Sequence, residues 1–270
     1  MSIDIASMFS QALKQVTDPY ERQARLIPPL LALMPPAVML IALYNDKATL
    51  LSVILWAFIA CGLLFFLSDA ARRLGKSREQ ALWKKWGGTP TTQVLRHSDD
   101  SFDEVSKNRY HTILATALGM PFPTAQDEQA APTKADAMYA SACNMLRNAT
   151  RDTKVFSLLF KDNISYGFRR NGYGLRWLGM GISVLCIAWV FVRQGIHTSM
   201  SRISDAPNIE AFFSGEDGIS LLVSFVMLLI WATYFTESTL RDAAFSYAKK
   251  LIESCETTQI QKIKKKTTTV

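Results

Sequence analysis

Few side chains in this 270-residue sequence are of a type and spacing that could do chemistry. Trp83 and Trp86 lie three residues apart beside Lys84 and Lys85. Aromatic faces next to cations could stack bases and hold phosphates of a nucleotide or oligonucleotide, or they could be interfacial tryptophans with snorkelling lysines. A second set follows in Tyr166–Trp177, where three arginines (Arg169, Arg170, Arg176), four aromatics and three glycines fall within twelve residues. Arginine forks suit phosphate, and glycines permit turns or close backbone approach. The bland alternative is a basic collar at a membrane surface. The candidate ligand contacts are therefore Trp83, Lys84, Lys85, Trp86, Arg169 and Arg170.

His97, Asp99, Asp100, Asp103 and His111 could suggest a metal or a hydrolytic cleft. Their spacing matches no zinc pattern, and helix capping and solvation account for the acids, so no metal is assigned. Phosphate-binding loops, dinucleotide fingerprints, nucleophile elbows and His-Glu-x-x-His are all missing. No catalytic residue and no cofactor are expected. Cys61, Cys143, Cys186 and Cys255 have neither paired nor metal-ligand spacing.

The elements that must position these groups are set by segregation of apolar residues. Hydrophobic residues make up 49% of the chain and are gathered into blocks. Leu26 to Tyr44, Leu50 to Ser68, Trp177 to Val192 and Ile219 to Phe235 each approach the roughly 20 residues a helix needs to cross a bilayer. Between the two pairs lies a polar stretch, Asp69 to Arg176, with 17 Lys/Arg against 11 Asp/Glu. The segment after Phe235 has 7 against 4, whereas 194–218 has 1 against 4. Positive residues favour the cytosolic side, which puts the middle stretch and both termini inside and the acidic loop outside.

The expected fold is an all-α membrane protein with four transmembrane helices and a helical cytosolic insert between the second and third. Its parts would be an amphipathic helix in 1–25, a hairpin in 26–68, a basic domain in 69–176, a second hairpin in 177–236 and a basic tail in 237–270. About 25 mixed polar residues precede the first apolar run, which argues against a signal peptide.

Within these parts, finer expectations follow. Pro35 and Pro36 remove backbone donors inside the first span, predicting a kink or break near Leu33–Pro36 that serves as a gating hinge or as a static bend. The second span should continue as one helix to Gly87-Gly88. Ser101 with Glu104 has capping-box spacing, ahead of a buried face of Phe102, Val105, Ile113, Ala117 and Leu118 closed by Gly119. Residues 121–132 read as a surface loop, and a further helix to Ala149 would bury Met138, Ala142, Met145 and Ala149. The third and fourth spans lack charge, which argues against a proton-coupled transporter. Their Ser183, Ser220 and Ser224, with Glu237 at the inner mouth, are candidate pore-lining residues. Lys262 and Lys264–Lys266 read as a solvated end attracted to anionic lipid.

The run Trp83-Lys84-Lys85-Trp86-Gly87-Gly88-Thr89-Pro90-Thr91-Thr92, then Arg109-Tyr110-His111, Gly119-Met120-Pro121 and Tyr166-Gly167-Phe168-Arg169-Arg170-Asn171, resembles a pattern in bacterial four-span proteins. With the architecture, it resembles the transmembrane effectors of antiphage defence, in particular the Hailong-type effectors. That resemblance covers mainly residues 83–171. It implies a homo-oligomeric channel of the bacterial inner membrane that depolarises the infected cell. It also implies control by a nucleotide-derived ligand, a DNA oligomer made by a partner nucleotidyltransferase. A scaffold that recruits a partner enzyme without forming a pore is the other class the residues allow.

Overall fold

The computed structural model describes the backbone of residues 18–44, 50–194 and 215–268, and side chains within these except those of 50–60, 194 and 258–268. The expected amphipathic helix of 5–16 and most of the acidic loop lie outside the described residues. Every described element is helical. A π-helical turn, Glu21–Leu26, leads into α1 (Ile27–Tyr44). There follow α2 (Leu50–Trp86), α3 (Pro90–Gln93), α4 (Glu104–Leu118), α5 (Ala125–Ala130), α6 (Pro132–Ala149), α7 (Ser157–Gln194), α8 (Gly215–Thr233) and α9 (Glu237–Thr268). Among the described residues, three helical stretches are long and apolar enough to cross a membrane: Glu21–Tyr44, Ser157–Arg193 and Gly215–Thr233.

The chain forms two compact units. One comprises Met1–Arg78 with Gly167–Leu240, the other Glu79–Tyr166 with Arg241–Val270. The unit boundaries fall inside α2, α7 and α9. They differ from the apolar–polar limits of the sequence, 69 and 176, because the last turns of α2 and first turns of α7 in the first unit pack as helix pairs although they carry charge.

In the first unit, contacts fix the direction of each helix. Gly167 lies against Tyr20 and Ala24, Asn171 Nδ2 donates to the Ala24 carbonyl at 2.7 Å, and Trp189 Nε1 donates to Tyr44 Oη at 3.1 Å. Pairs that keep a near-constant difference in number mean that α1 and α7 run parallel. α8 is antiparallel to α7: Gly172 meets Phe235, Arg176 reaches the Ala232 carbonyl, Gly179 meets Trp231, and Arg193 pairs with Asp217. α2 is also antiparallel to α7, with Gly75 on the backbone of Arg170 and the Ala71 carbonyl near Gly174. Tyr44 therefore lies at the end marked by Arg193 and Asp217, and Gly75 at the other. From Leu50 to Gly75, α2 rises about 38 Å at 1.5 Å per residue, enough to return along the bundle. The core is Ala32, Ala71, Leu175, Met227, Trp231 and Phe235.

The other unit is a helical core around Val94, Leu95, Tyr110, Leu114, Tyr139, Leu146 and Phe156. Ala248, Leu251, Ile252 and Cys255 of α9 belong to the same core. The C-terminal helix is thus an integral part of this unit up to Cys255. A tail reading took its charges as the signal, whereas its apolar positions at helical spacing decide its placement.

Local boundaries show what the backbone demands. Helix α2 ends as expected at Gly87 (φ 89°) and Gly88 (φ 136°), with the Gly88 N–H on the Trp83 carbonyl at 2.8 Å. Gly119 (φ 67°) closes α4 in the same manner, as expected. Several finer expectations are corrected. The N-cap of α4 is Asp103, which accepts from Ser106 N at 2.8 Å; Ser101 instead donates its N–H to Asp99 Oδ1. The buried residues of α4 are Lys107, Tyr110, His111 and Leu114; Phe102, Ile113 and Leu118 pack against the same core as expected, while Val105 is 75% exposed and Ala117 exposed. α6 buries Ala135, Tyr139, Ala142, Cys143 and Leu146, and Ala149 is exposed. Residues 121–132 contain a short helix with a capping box between Thr124 and Asp127. The helix of the fourth apolar run ends at Thr233, before Phe235.

Candidate functional site

Proline chemistry defines the junction at the start of α1. Pro28 and Pro29 have no N–H, so the Ala24 carbonyl lacks a helical donor at both the fourth and the fifth following residue. A buried carbonyl left unpaired costs about 1–3 kcal/mol. Asn171, fully buried on α7, supplies the missing donor from its Nδ2. Its Oδ1 accepts from Arg170 Nε at 3.4 Å, and a Cβ on Gly75 would stand 3.0 Å from that oxygen. One amide on α7 therefore touches both the π-helical turn and α2. Of the kink or break expected at Leu33–Pro36, no break occurs: α1 is continuous with Pro35 and Pro36 inside it. The irregular turn comes earlier, at Glu21–Leu26, directly before the first proline pair.

The glycines of this segment act by allowing close approach. None of Gly167, Gly172 and Gly174 has a positive φ, and all lie within the continuous helix α7. A Cβ on Gly174 would stand 2.5 Å from the Gly75 nitrogen. The turn envisaged at this junction is therefore a packing surface.

The candidate ligand residues fall in different units. Trp83, Lys84, Lys85 and Trp86 form the last turn of α2 in the second unit, with both lysines exposed and both tryptophans half-buried. The Trp83 indole N–H is buried with no hydrogen-bond partner among the described residues. Arg169 and Arg170 are half-buried on α7 in the first unit. Arg169 lies over the Tyr234 ring at 5.6 Å, in line with a cation held by an aromatic face. Arg176 donates to the Ala232 carbonyl at 3.0 Å, meeting the exposed carbonyls at the end of α8.

The candidate pore residues are buried inside the chain. Ser183 and Ser224 are fully buried and Ser220 nearly so. Ser183 Oγ donates to the Gly179 carbonyl and Ser220 Oγ to that of Glu216, both at 2.9 Å. Ser224 Oγ has no hydrogen-bond partner among the described residues. Glu237 is half-buried in the first turn of α9.

In the second unit, the histidines serve the core. His111 is buried, with Nε2 2.8 Å from the Leu95 carbonyl, and packs on His97, Phe122 and Tyr139. His97 Nε2 lies 3.0 Å from the Pro123 carbonyl. Lys107, itself buried, donates to the carbonyls of His97 and Asp99 and so pins the loop between them. Beside that loop, Asp99, Asp100 and Ser101 line an open cleft with Arg241, Asp242, Phe245 and Lys249 of α9. Among the described residues no group of three His, Cys, Asp or Glu is placed to hold a metal. Burial pushes the Cys143 thiol up to about 11 and the Cys255 thiol up to about 12, leaving both as inert thiols at neutral pH.

Burial also lowers the His111 pKa below its ordinary value of 6.5. The unfolded chain then binds the proton more readily, so stability falls as pH drops below 6.5 toward the folded pKa. Hydrogen exchange of α4 and α6 in the full chain should quicken, relative to intrinsic rates, as pH falls below 6.5. His111→Gln should flatten that dependence; an unchanged profile in the variant would remove His111 as its source.

Comparison of the chain with protein-family models, with curated proteins and with solved structures found no match.

Proposed function

We propose that this protein is a four-span inner-membrane effector that assembles as a homo-oligomeric channel, with its polar helical unit as the controlling part. The observation that carries the reading is the parallel course of α1 and α7. If those two helices cross in the same direction, the chain between them must cross back, and α2 is antiparallel to α7 at Gly75. Leu63, Phe65 and Phe66 of α2 are exposed large apolar side chains, as a lipid-facing helix requires. Ile41, Leu185 and Val192 are each 69% exposed on the neighbouring helices. Termini and polar unit on the cytosolic side then satisfy the charge bias of the loops.

Control by a nucleotide or oligonucleotide rests on the basic aromatic turn Trp83–Trp86, on Arg169 and Arg170, and on the resemblance to antiphage effectors. A partner nucleotidyltransferase would supply such a ligand. Because Ser183, Ser220 and Ser224 are buried within one chain, the proposed water path runs between copies. Purified oligomer in planar bilayers should conduct, and short DNA oligomers should change the open probability. Ligand affinity should fall steeply with salt as counterions are released. An oligomeric preparation that conducts neither with nor without oligonucleotides would sink the channel. The burial of the three serines favours the second reading, a pore-free scaffold, for which a stoichiometric enzyme partner would be recovered and membrane potential would stay unchanged on overexpression.

A further inference from the structure

We infer that Glu21–Leu26 is a two-register switch at the root of the first span, held by the Asn171 side chain and balanced by Pro28 and Pro29. In the π-helical turn, Ile27 N–H bonds to the Arg22 carbonyl, five residues back, while Arg22 N–H bonds to Asp18 four residues back. One residue too many is therefore accommodated between Asp18 and Ile27. Such turns interrupt α-helices at places where one residue can be absorbed or released.

The prolines remove the usual penalty for that choice. In the π register, the carbonyls of Gln23 and Ala24 face Pro28 and Pro29 and have no helical donor. In an all-α register the same would hold for Ala24 and Arg25. Each register thus loses two helical bonds, and the Ala24 carbonyl is common to both. That shared carbonyl is the one Asn171 serves at 2.7 Å. With Ala24 held, the π register leaves Gln23 and the α register leaves Arg25 without a helical donor, one for one.

The surface under the turn suits movement. Gly167 presents no side chain to Tyr20 and Ala24, and a Cβ there would stand 2.9 Å from Tyr20 Oη and 3.0 Å from Ala24 Cβ. Changing register by one residue rotates the chain before Ala24 by about 100° relative to α1. Tyr20 would leave Gly167 while Ala24 stayed in place. Since the bond made by Asn171 also involves the helix bearing Arg169 and Arg170, the turn is coupled to α7 at its base.

The proline pair gives a test with opposite signs. Pro28→Ala restores a donor for Gln23 in the π register, and Pro29→Ala restores one for Arg25 in the α register. Each should shift the register ratio about fivefold, the weight of one net backbone hydrogen bond. The readout is cross-linking of Tyr20→Cys with Gly167→Cys by a short bifunctional methanethiosulfonate in the full-length protein, with the exposed Cys61 replaced by Ser. Yield should rise with Pro28→Ala and fall with Pro29→Ala. Disulfide formation between Ala24→Cys and Gly167→Cys is the control and should be equal in both, because Ala24 stays on α7. Equal Tyr20 yields in the two proline variants, with the control intact, would overturn the switch and leave a static bend. Loss of the control signal would overturn the anchoring by Asn171. Neither outcome depends on whether the protein conducts.

Discussion

Gly174→Ala should unseat α2 from α7 and lower stability by about 3 kcal/mol, at the upper end of what overpacking costs. The added methyl would stand 2.5 Å from the Gly75 nitrogen, 2.9 Å from its Cα and 3.1 Å from the Ala71 carbonyl. All three are main-chain atoms, so no side chain can rotate out of the way. The helices must separate, and Asn171, which bridges the same pair, would lose its reach to Ala24. Gly181→Ala provides the comparison: a Cβ there meets no described atom within 4 Å beyond its own helix backbone. It should be neutral or stabilising by about 0.5–1 kcal/mol, the ordinary gain of alanine over glycine inside a helix. Thermal unfolding of both variants in detergent, followed by tryptophan fluorescence, measures the difference. Equal melting of the two would mean that α2 and α7 are not in backbone contact.

That contrast shows what was legible in the sequence. The apolar blocks marked three described helical stretches that are long and apolar enough to span a membrane, and Gly87-Gly88 and Gly119 marked helix ends, because a positive φ is demanded locally and glycine meets it. Gly167, Gly172 and Gly174 are the same residue type in a basic aromatic segment, yet their role is decided by distant partners: Tyr20, Phe235 and Gly75. The orphaned Ala24 carbonyl follows from Pro28-Pro29 by covalent structure alone and could have been derived. That Asn171 would be its donor could not, since this needs the pairing of α1 with α7. The buried faces of α4 and α6 were legible only in part, for a related reason: Ala142 is buried and Phe102, Ile113, Leu118 and Met145 pack on the core, but other positions differ. Val105 and Ala149 are apolar but lie on the outer side, whereas Lys107, His111 and Tyr139 carry polar atoms that find partners inside. Hydrophobic periodicity undercounts core positions whose polar atoms are satisfied. For the ligand candidates, the sequence marked residues of suitable chemistry and had no means of showing that Trp83–Trp86 and Arg169–Arg170 belong to different units.

Helix α7 runs from Ser157, in the polar unit, through Asn171 to Gln194, in the first unit. In the polar unit, Tyr166 donates its hydroxyl to Glu79 of α2 and stacks on Tyr247 of α9 at 6.0 Å. The three helices that carry a unit boundary are thus joined there by one side chain.

Stability of the polar unit should depend most on Tyr139, and Tyr139→Ala is expected to cost about 3–5 kcal/mol, the range for truncating a buried aromatic. Its ring is fully buried and stacks on His111 at 5.8 Å and packs on Phe122 at 5.6 Å. Its hydroxyl donates to Glu128 Oε2 at 2.7 Å, and that same oxygen accepts from His97 N at 3.0 Å. The hydroxyl thus fastens the short helix α5 and the loop at His97 to α6. Burial and the Glu128 carboxylate both push its pKa up, so it remains a neutral donor across the working range. Tyr139→Phe keeps the ring and deletes only that bond, for a cost of about 1 kcal/mol. Hydrogen exchange in the full chain separates the two contributions. Tyr139→Ala should deprotect α4, α6 and the buried part of α9 together, whereas Tyr139→Phe should act mainly on α5 and the His97 loop. If Tyr139→Ala left α9 protected, the C-terminal helix would not share a core with the insert, and the assignment of both to one unit would fail.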